Sequence, residues 1–544
     1  MDKSDTTPKR FYPTHRAAPL LLGLLAMTAI ALVLYGTGTY GVGISPDSVS
    51  YLSTAKNLLQ GKGFVNYSEG YYLRWPPLFP LVLALAGLSG SDSTQGARLV
   101  NAASLGLIVF LSGQLLLKHI RSKLIAFLVT LSVLFSLPLL NASVMAWAEP
   151  LYILCSIISL RALSGCLKQD SLIPLLLCSA FASLACLQRY MGITLVITGI
   201  VSLSFFSRHP SRHTRITAIA LFCLLSITPS LPWLVRNYLI SGTFTGHMYP
   251  AYYGLLKNIS LTGEVLGSWF LPALVPAPLR SLMTIIAITS LVIASRVLRS
   301  RHKPHDHTKR YQALKPMLLY CGIYTAFLIM SCSLKAYGPI DDSRFLAPLY
   351  PFVMLLLFSM LDDVYHWIQA IFDRKRWVTI VMVGVLCAWL CYPIINSLSA
   401  IASWRVDGAG EEFYGKSYYG KRAWQESPLA AWVRTHPPGD AVYSNEPLAL
   451  YALTGIAAQM SPLRNTSLAQ LNNTWPVAQT SWLVWFNDRF EGKSRFFWKG
   501  NQAYPVSELR GFFDFEEVRS FPDGSIYGFK PSDTQGSELT NDSR

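Results

Sequence analysis

Charge is what this sequence is short of. Only 14% of its 544 residues are Asp, Glu, Lys or Arg, against 51% that are hydrophobic. A soluble domain usually carries about 25% charged residues. With a mean hydropathy of +0.34, an ordinary water-soluble globule is excluded for most of the chain. Cysteine is scarce and badly spaced for chemistry. All nine cysteines (155, 166, 178, 186, 223, 321, 332, 387 and 391) precede Trp404. None has metal-ligand spacing, no disulfide framework is implied, and each reads as a small buried hydrophobe. A Gly-rich phosphate loop of Walker or Rossmann type is also missing, so no nucleotide site and no cofactor is implied. There are no internal repeats and no low-complexity segments.

What is present is a series of apolar runs long enough to span a bilayer, for which roughly 17–25 residues are needed. They fall at about 18–36, 97–117, 124–140, 146–164, 171–187, 191–207, 216–234, 281–298, 316–334, 346–362 and 377–395. The fold class is therefore a polytopic α-helical membrane protein of about eleven transmembrane helices with a C-terminal soluble α/β domain. Three regions follow: a tail at 1–17, a membrane domain at 18–403 and the soluble domain at 404–544. The first run, preceded by Lys9, Arg10 and Arg16 and by no convincing cleavage site, reads as a retained signal anchor.

The 46 basic residues are unevenly placed. From Trp404 onward there are 14 basic and 16 acidic residues, leaving 32 basic and 14 acidic residues before it. Clusters at Lys118/Arg121/Lys123, Arg208/Arg212/Arg215, Arg296 to Lys315 and Arg374/Lys375/Arg376 lie between apolar runs. They read as topogenic charge obeying the positive-inside rule rather than as a nucleic-acid footprint. With eleven spans the N-terminus is cytoplasmic and the C-terminal domain extracytoplasmic. Within that domain the sequence predicts a helix over 423–435, a strand at 441–444, a helix at 446–453, a strand at 481–486 and a hairpin over 517–529 turning at Pro522-Asp523-Gly524. The last dozen residues have a disordered composition.

Chemistry concentrates at the outer ends of the runs. The first outer loop, 37–96, contains Ser45-Pro46-Asp47-Ser48, with Ser45 as an N-cap, Pro46 at the first helical position and Asp47 in the first turn. Val49, Leu52, Ala55 and Leu59 share one face, predicting an amphipathic helix at the membrane surface. Asp47 by itself is explained by helix-dipole compensation, worth about 0.3–1 kcal/mol. Its company argues for more: Arg74, Glu149, Arg189, Arg236, Asp341, Asp342 and Arg344 also lie at outer ends. Arginine there opposes the topological preference. Each could snorkel, but several together suit a bound phosphate.

The run Pro46-Asp47-Ser48-x-x-Tyr51-x-x-x-Ala55-x-x-Leu58, then Trp75-Pro76-Pro77-Leu78-Phe79-Pro80, resembles the GT-C glycosyltransferases. More narrowly it resembles bacterial relatives of the protein O-mannosyltransferases and aminoarabinose transferases. Ala148-Glu149-Pro150-Leu151, Gln188-Arg189-Tyr190, Leu234-Val235-Arg236-Asn237 and Ser343-Arg344-Phe345-Leu346 follow in the family's order, so the resemblance covers about 18–360. It implies a polyprenyl-phosphate-linked sugar donor; a lipid, glycan or protein acceptor; a metal-independent reaction; and a bacterial inner-membrane location. Asp47 matches the family's catalytic aspartate, a general base. Many members carry a second carboxylate directly after it; here that position is Ser48, and Glu149 is the candidate for the missing partner. Arg74, Arg236 and Arg344, with Arg189, are the expected donor-phosphate ligands. Two other readings compete. A transporter or lipid flippase predicts charges at mid-membrane depth and paired broken helices. A membrane sensor leaves the first-loop helix and the ordered arginines without a purpose.

Overall fold

The computed structural model of the chain describes residues 14–531, apart from 89, 91, 169–170, 208–210, 247–249, 302–304, 336–339, 341, 373–374, 411–417, 440, 464–480, 488–502 and 511–512. All eleven apolar runs are helical. Among the described residues, eight helices are long and apolar enough to cross a membrane, from Ala17–Gly36 to Arg376–Asp407. The run at 124–140 becomes two helices, α5 (Lys123–Leu134) and α6 (Leu137–Val144), bent by 41° and making at most a ninth crossing. Pro138 sits in the first turn of α6, where its missing N–H costs nothing. The runs at 171–187 and 191–207 are shorter apolar helices, α8 (Leu172–Gln188) and α9 (Ile193–Phe206), near the lower length limit for a span.

These helices wear their apolar side chains outward. Leu20, Leu24, Ile285, Ile380 and Ile395 are all more than half exposed, which water would penalise and lipid tails do not. The interior is held mainly by α4 (Ser93–His119), α7 (Glu149–Cys166) and α15 (Tyr350–Ile371), which lie in the most buried of the membrane-length helical segments.

At one end of the bundle sit the first-loop helices α2 (Pro46–Leu59) and α3 (Leu78–Gly87) together with the C-terminal domain. That domain follows α16 (Arg376–Asp407) and contains a five-stranded sheet. In chain order its strands are β1 (Val442–Ser444), β2 (Gln459–Met460), β3 (Ser481–Phe486), β4 (Phe513–Phe521) and β5 (Gly524–Pro531). The spatial order is β2-β1-β3-β5-β4, parallel on the β1 side and antiparallel on the β5 side. The strands at 441–444 and 481–486 and the hairpin fall where the sequence puts them. The helix expected over 423–435 is broken instead into Arg422–Gln425 and Pro428–Thr435. Ser427 caps the second piece, and its hydroxyl and the Leu429 N–H both bond Asp523 in the hairpin turn. The C-terminal dozen, expected from composition to be disordered, lies outside the described residues.

One expectation is overturned. Helix α2 is not amphipathic in the sense of one buried face at a membrane surface. Ser48, Ser53, Thr54 and Asn57 are buried along with Val49, Leu52 and Ala55, while Leu59 is exposed. A helix at Pro447–Thr454 packs on α2, Tyr67 of the first loop lies against Tyr451, and Asn57 bonds the carbonyls of Val65 and Asn66. Cover from the C-terminal domain and the folded first loop makes the polar face interior.

Candidate active site

The site begins with a short splice. Gly43 forms a parallel bridge with Met145, the Gly43 N–H donating to Val144 O at 2.8 Å and the Ala146 N–H to Gly43 O at 2.9 Å. A side chain at 43 would put its Cβ 2.8 Å from the Ala409 carbonyl oxygen, so glycine is required there. The splice sets the start of α2 beside residues 145–149. Asn101 of α4 donates to the carbonyls of Met145 and Trp147, and Gln188 donates to that of Ala148. Ser45 caps α2 through the Ser48 N–H and accepts a 2.8 Å bond from the Trp147 indole. Asp47 then emerges from the helix N-terminus, where the dipole favours a carboxylate, and its side chain remains 26% exposed.

Facing it is Arg344. Asp342 accepts the Arg344 backbone N–H at 3.0 Å and sits 2.8 Å from the Arg344 Nε through its other oxygen. The guanidinium lies over the Trp147 ring at 4.6 Å and donates to Asp47 Oδ2 at 3.1 Å. Asp342 is almost wholly buried. Burial pushes its carboxyl up to about 6, against the opposing pull of Arg344. Glu149 is buried behind the site and ion-paired with Arg189, whose own guanidinium lies near the Phe345 ring.

These groups meet at a cavity of about 400 Å³. Asp47, Tyr51, Arg74, Arg189 and Arg344 line it. Tyr51 is buried edge-on to Trp75 and Phe79, and burial, then Asp47, raise its phenol well above its ordinary value. Away from the charges the wall is apolar: Ile193, Ile227, Leu234, Phe327 and Leu328. Glu149 and Asp342 stand behind the arginines they neutralise, so the wall presents three guanidiniums to one carboxylate. An elongated ligand with an anionic end and a hydrocarbon tail matches this polarity.

Two expected residues stand apart. Arg236 does not line the cavity. Its guanidinium donates to the carbonyls of Tyr72 and Phe64 at 3.0 and 3.2 Å and stacks on Trp233 at 4.6 Å, clamping the first loop from outside. Asp341 lies outside the described residues. Sequence reading overlooked Trp147, Tyr190 and Trp233. Tyr190 receives bonds from the Trp233 indole and the Asn237 amide and forms part of the cavity wall. The signal for Trp147 was its place two residues before Glu149.

No family model matches the sequence, and no curated protein matches it. Solved structures do. The fold is similar to that of ArnT from Cupriavidus metallidurans, solved bound to undecaprenyl phosphate, with a TM-score of 0.61 at 13% identity over 94% of this chain and 98% of that one. It is similar to the oligosaccharyltransferase AglB from Archaeoglobus fulgidus, solved with an inhibitory peptide and a dolichol-phosphate, with a TM-score of 0.52 at 11% identity over 95% and 74%. It is also similar to the arabinofuranosyltransferase AftD from Mycobacteria, with a TM-score of 0.53 at 13% identity, matching 94% of this chain and 40% of that longer one. At such identities the likeness is one of fold.

Proposed function

We propose that this chain, whose fold is that of the GT-C membrane glycosyltransferases, moves a sugar from a polyprenyl-phosphate donor to an acceptor hydroxyl. The observation that carries the reading is the single cavity in which one part-exposed carboxylate, Asp47, meets the guanidiniums of Arg74, Arg189 and Arg344 above an apolar wall. Undecaprenyl phosphate and dolichol-phosphate, the lipids seen in two proteins of this fold, have the same polarity.

In this reading the acceptor oxygen attacks the anomeric carbon and passes its proton to Asp47. The bond from that carbon to the phosphate oxygen breaks, and polyprenyl phosphate leaves with the electron pair. General-base help of this kind is worth about 10²–10⁴-fold. Charge growing on the phosphate is met by Arg344, Arg74 and Arg189, each charge-assisted hydrogen bond contributing about 1.5–3 kcal/mol. Arg344 has a second part. It bonds Asp47, and a phosphate that takes over the guanidinium leaves the carboxylate available as a base. Glu149 serves here as the counter-ion that positions Arg189 rather than as a second base. The acceptor is a lipid, glycan or protein, approached from the end covered by the C-terminal domain. That end is extracytoplasmic in a bacterial inner membrane, with the N-terminus cytoplasmic.

Incubating the purified chain with a labelled polyprenyl-phosphate sugar and cell-envelope acceptors tests this. Transfer that Asp47→Asn lowers by about 10²-fold or more is expected. A parent protein that neither binds nor turns over such donors overturns the reading. Labelling an introduced cysteine at Gly439 in intact cells checks orientation: reaction only after permeabilisation would invert it.

A further inference from the structure

A second cavity, of about 390 Å³, lies away from the first, with Leu357, Phe358 and Leu361 of α15 as its floor. One wall is α13 (Ala277–Arg301), through Met283, Thr284, Ala287, Ile288 and Leu291; the other is α16, through Val385, Leu386 and Trp389. Both walls are lipid-facing helices, with Met283 and Val385 well exposed, so the groove opens sideways into the bilayer. Phe270 closes its outer end, where Trp389 donates its indole N–H to the Phe270 carbonyl and Tyr392 its hydroxyl to that of Ser268.

Three features mark this groove as more than loose packing. Thr284 is 6% exposed, yet its hydroxyl, on an otherwise apolar wall, meets no hydrogen-bond partner among the described residues. One turn above it on the same helix, and outside the groove lining itself, Arg280 lies close enough to Tyr392 at the outer end to act on its hydroxyl, with its stem against Gly267. Its Nε is buried and likewise meets no partner among the described residues. A buried guanidinium nitrogen and a buried hydroxyl left unpaired are costly, so a ligand that supplies acceptors is favoured there. Finally, from Arg280 to Leu291 is eleven residues, about 16 Å of helix. That is about half of the ~30 Å hydrocarbon core, the depth of one leaflet.

We propose that this groove is a binding site for one anionic glycerophospholipid of the leaflet on the active-site side. Its phosphate meets Arg280, an ester carbonyl meets Thr284, and one acyl chain lies along the α15 floor. The lipid braces α13 against α15 and α16. The leaflet-deep length suits an acyl chain, and the paired cation and hydroxyl at one end suit a lipid headgroup better than the apolar flank of a second copy. The site does not depend on the activity assigned to the Asp47 cavity.

The test uses the full chain in nanodiscs holding phosphatidylglycerol with a photo-activatable diazirine in its acyl chain. Phosphatidylcholine with the same chain is the comparison, and adducts are mapped by mass spectrometry. Adducts on Met283, Ile288 and Leu361 are expected, favouring phosphatidylglycerol about tenfold, the order of one charge-assisted hydrogen bond. Arg280→Gln should erase that preference. Ala287→Trp should fill the groove and remove its adducts while labelling of the exposed residues Leu20 and Leu24 of α1 (Thr14–Gly36) persists, which also reports that the variant is folded. Equal labelling by the two lipids, a preference that survives Arg280→Gln, groove labelling no stronger than on α1, or crosslinks to a second copy would each overturn the proposal.

Discussion

Two arginine–aspartate clusters sit at opposite ends of α4. Asn101, near its start, supports the loop that carries Trp147; Arg121 lies just past its far end. At the far end, Arg121 pairs with Asp363 at 2.8 Å, while the Arg121 and Ser122 N–H groups both donate to Asp362, which is fully buried. Tyr311 closes on Asp363. Every acid there is spent holding a turn against α15 and the helix at His305–Leu334, and neither cavity described above reaches it. At the near end, the buried acids Asp342 and Glu149 are ion-paired with the arginines and lie behind them, whereas Asp47 is part-exposed, holds a single hydrogen bond and opens on a cavity. Ion pairing alone does not mark a functional group. What distinguishes Asp47 is unused accepting capacity next to empty space.

That contrast can be broken most severely at Asp47. Asp47→Asn should lower turnover by about 10²-fold or more with an unchanged melting temperature. Asp362→Asn should do the reverse, lowering the melting temperature while folded molecules keep their turnover. Near-normal turnover in Asp47→Asn would reduce Asp47 to a helix-dipole partner. Next in size, Arg344→Lys should weaken polyprenyl-phosphate binding by about 10–150-fold, the loss of one charge-assisted bond and its fork geometry. Parent-like affinity measured in detergent would make Arg344 a structural residue like Arg121.

A smaller effect concerns Asp342 and pH. Its carboxyl titrates near 6 when folded and near 3.8 when unfolded, so the folded state holds the proton more tightly. The stability contributed is full below about pH 4 and lost as pH rises through about 6, a few kcal/mol at most. Melting temperature followed from pH 4 to 8 should therefore fall more in the parent than in Asp342→Asn; parallel curves would show that burial does not shift this group. The smallest change is expected at Arg236. Because it clamps carbonyls of the first loop and does not reach the cavity, Arg236→Lys should alter donor affinity far less than Arg344→Lys does. An equal loss in binding assays would bring Arg236 into the phosphate site.

The sequence told the apolar runs from the C-terminal domain because both signals are local: run length in one, strand alternation and turn chemistry in the other. Ser45-Pro46-Asp47 was likewise legible as a helix start. What was not legible depends on distant partners. Arg344 lies 297 positions from Asp47, and nothing in either neighbourhood announces that they touch. Arg236 and Arg344 read alike as outer-end arginines, and only their surroundings separate a loop clamp from a cavity wall. Arg121 passed for simple topogenic charge because its acids lie some 240 residues on. Helix α2 misled for a related reason: periodicity describes the face a helix would bury by itself, and a second cover added from the C-terminal domain erases it.

The splice at Gly43 has a mechanical side. One edge of the strip Gly43-Ile44 is bonded to Val144 and Ala146 in the bundle, and on the other the Tyr419 N–H of the C-terminal domain donates to Ile44 O at 2.8 Å. Ser45, the cap of the helix that presents Asp47, is the next residue. The strip thus acts as a hinge pin gripped by two leaves. A tilt of the C-terminal domain against the bundle would be felt first at Ser45, and two residues later at Asp47. The C-terminal domain is thereby geared to the Asp47 carboxylate.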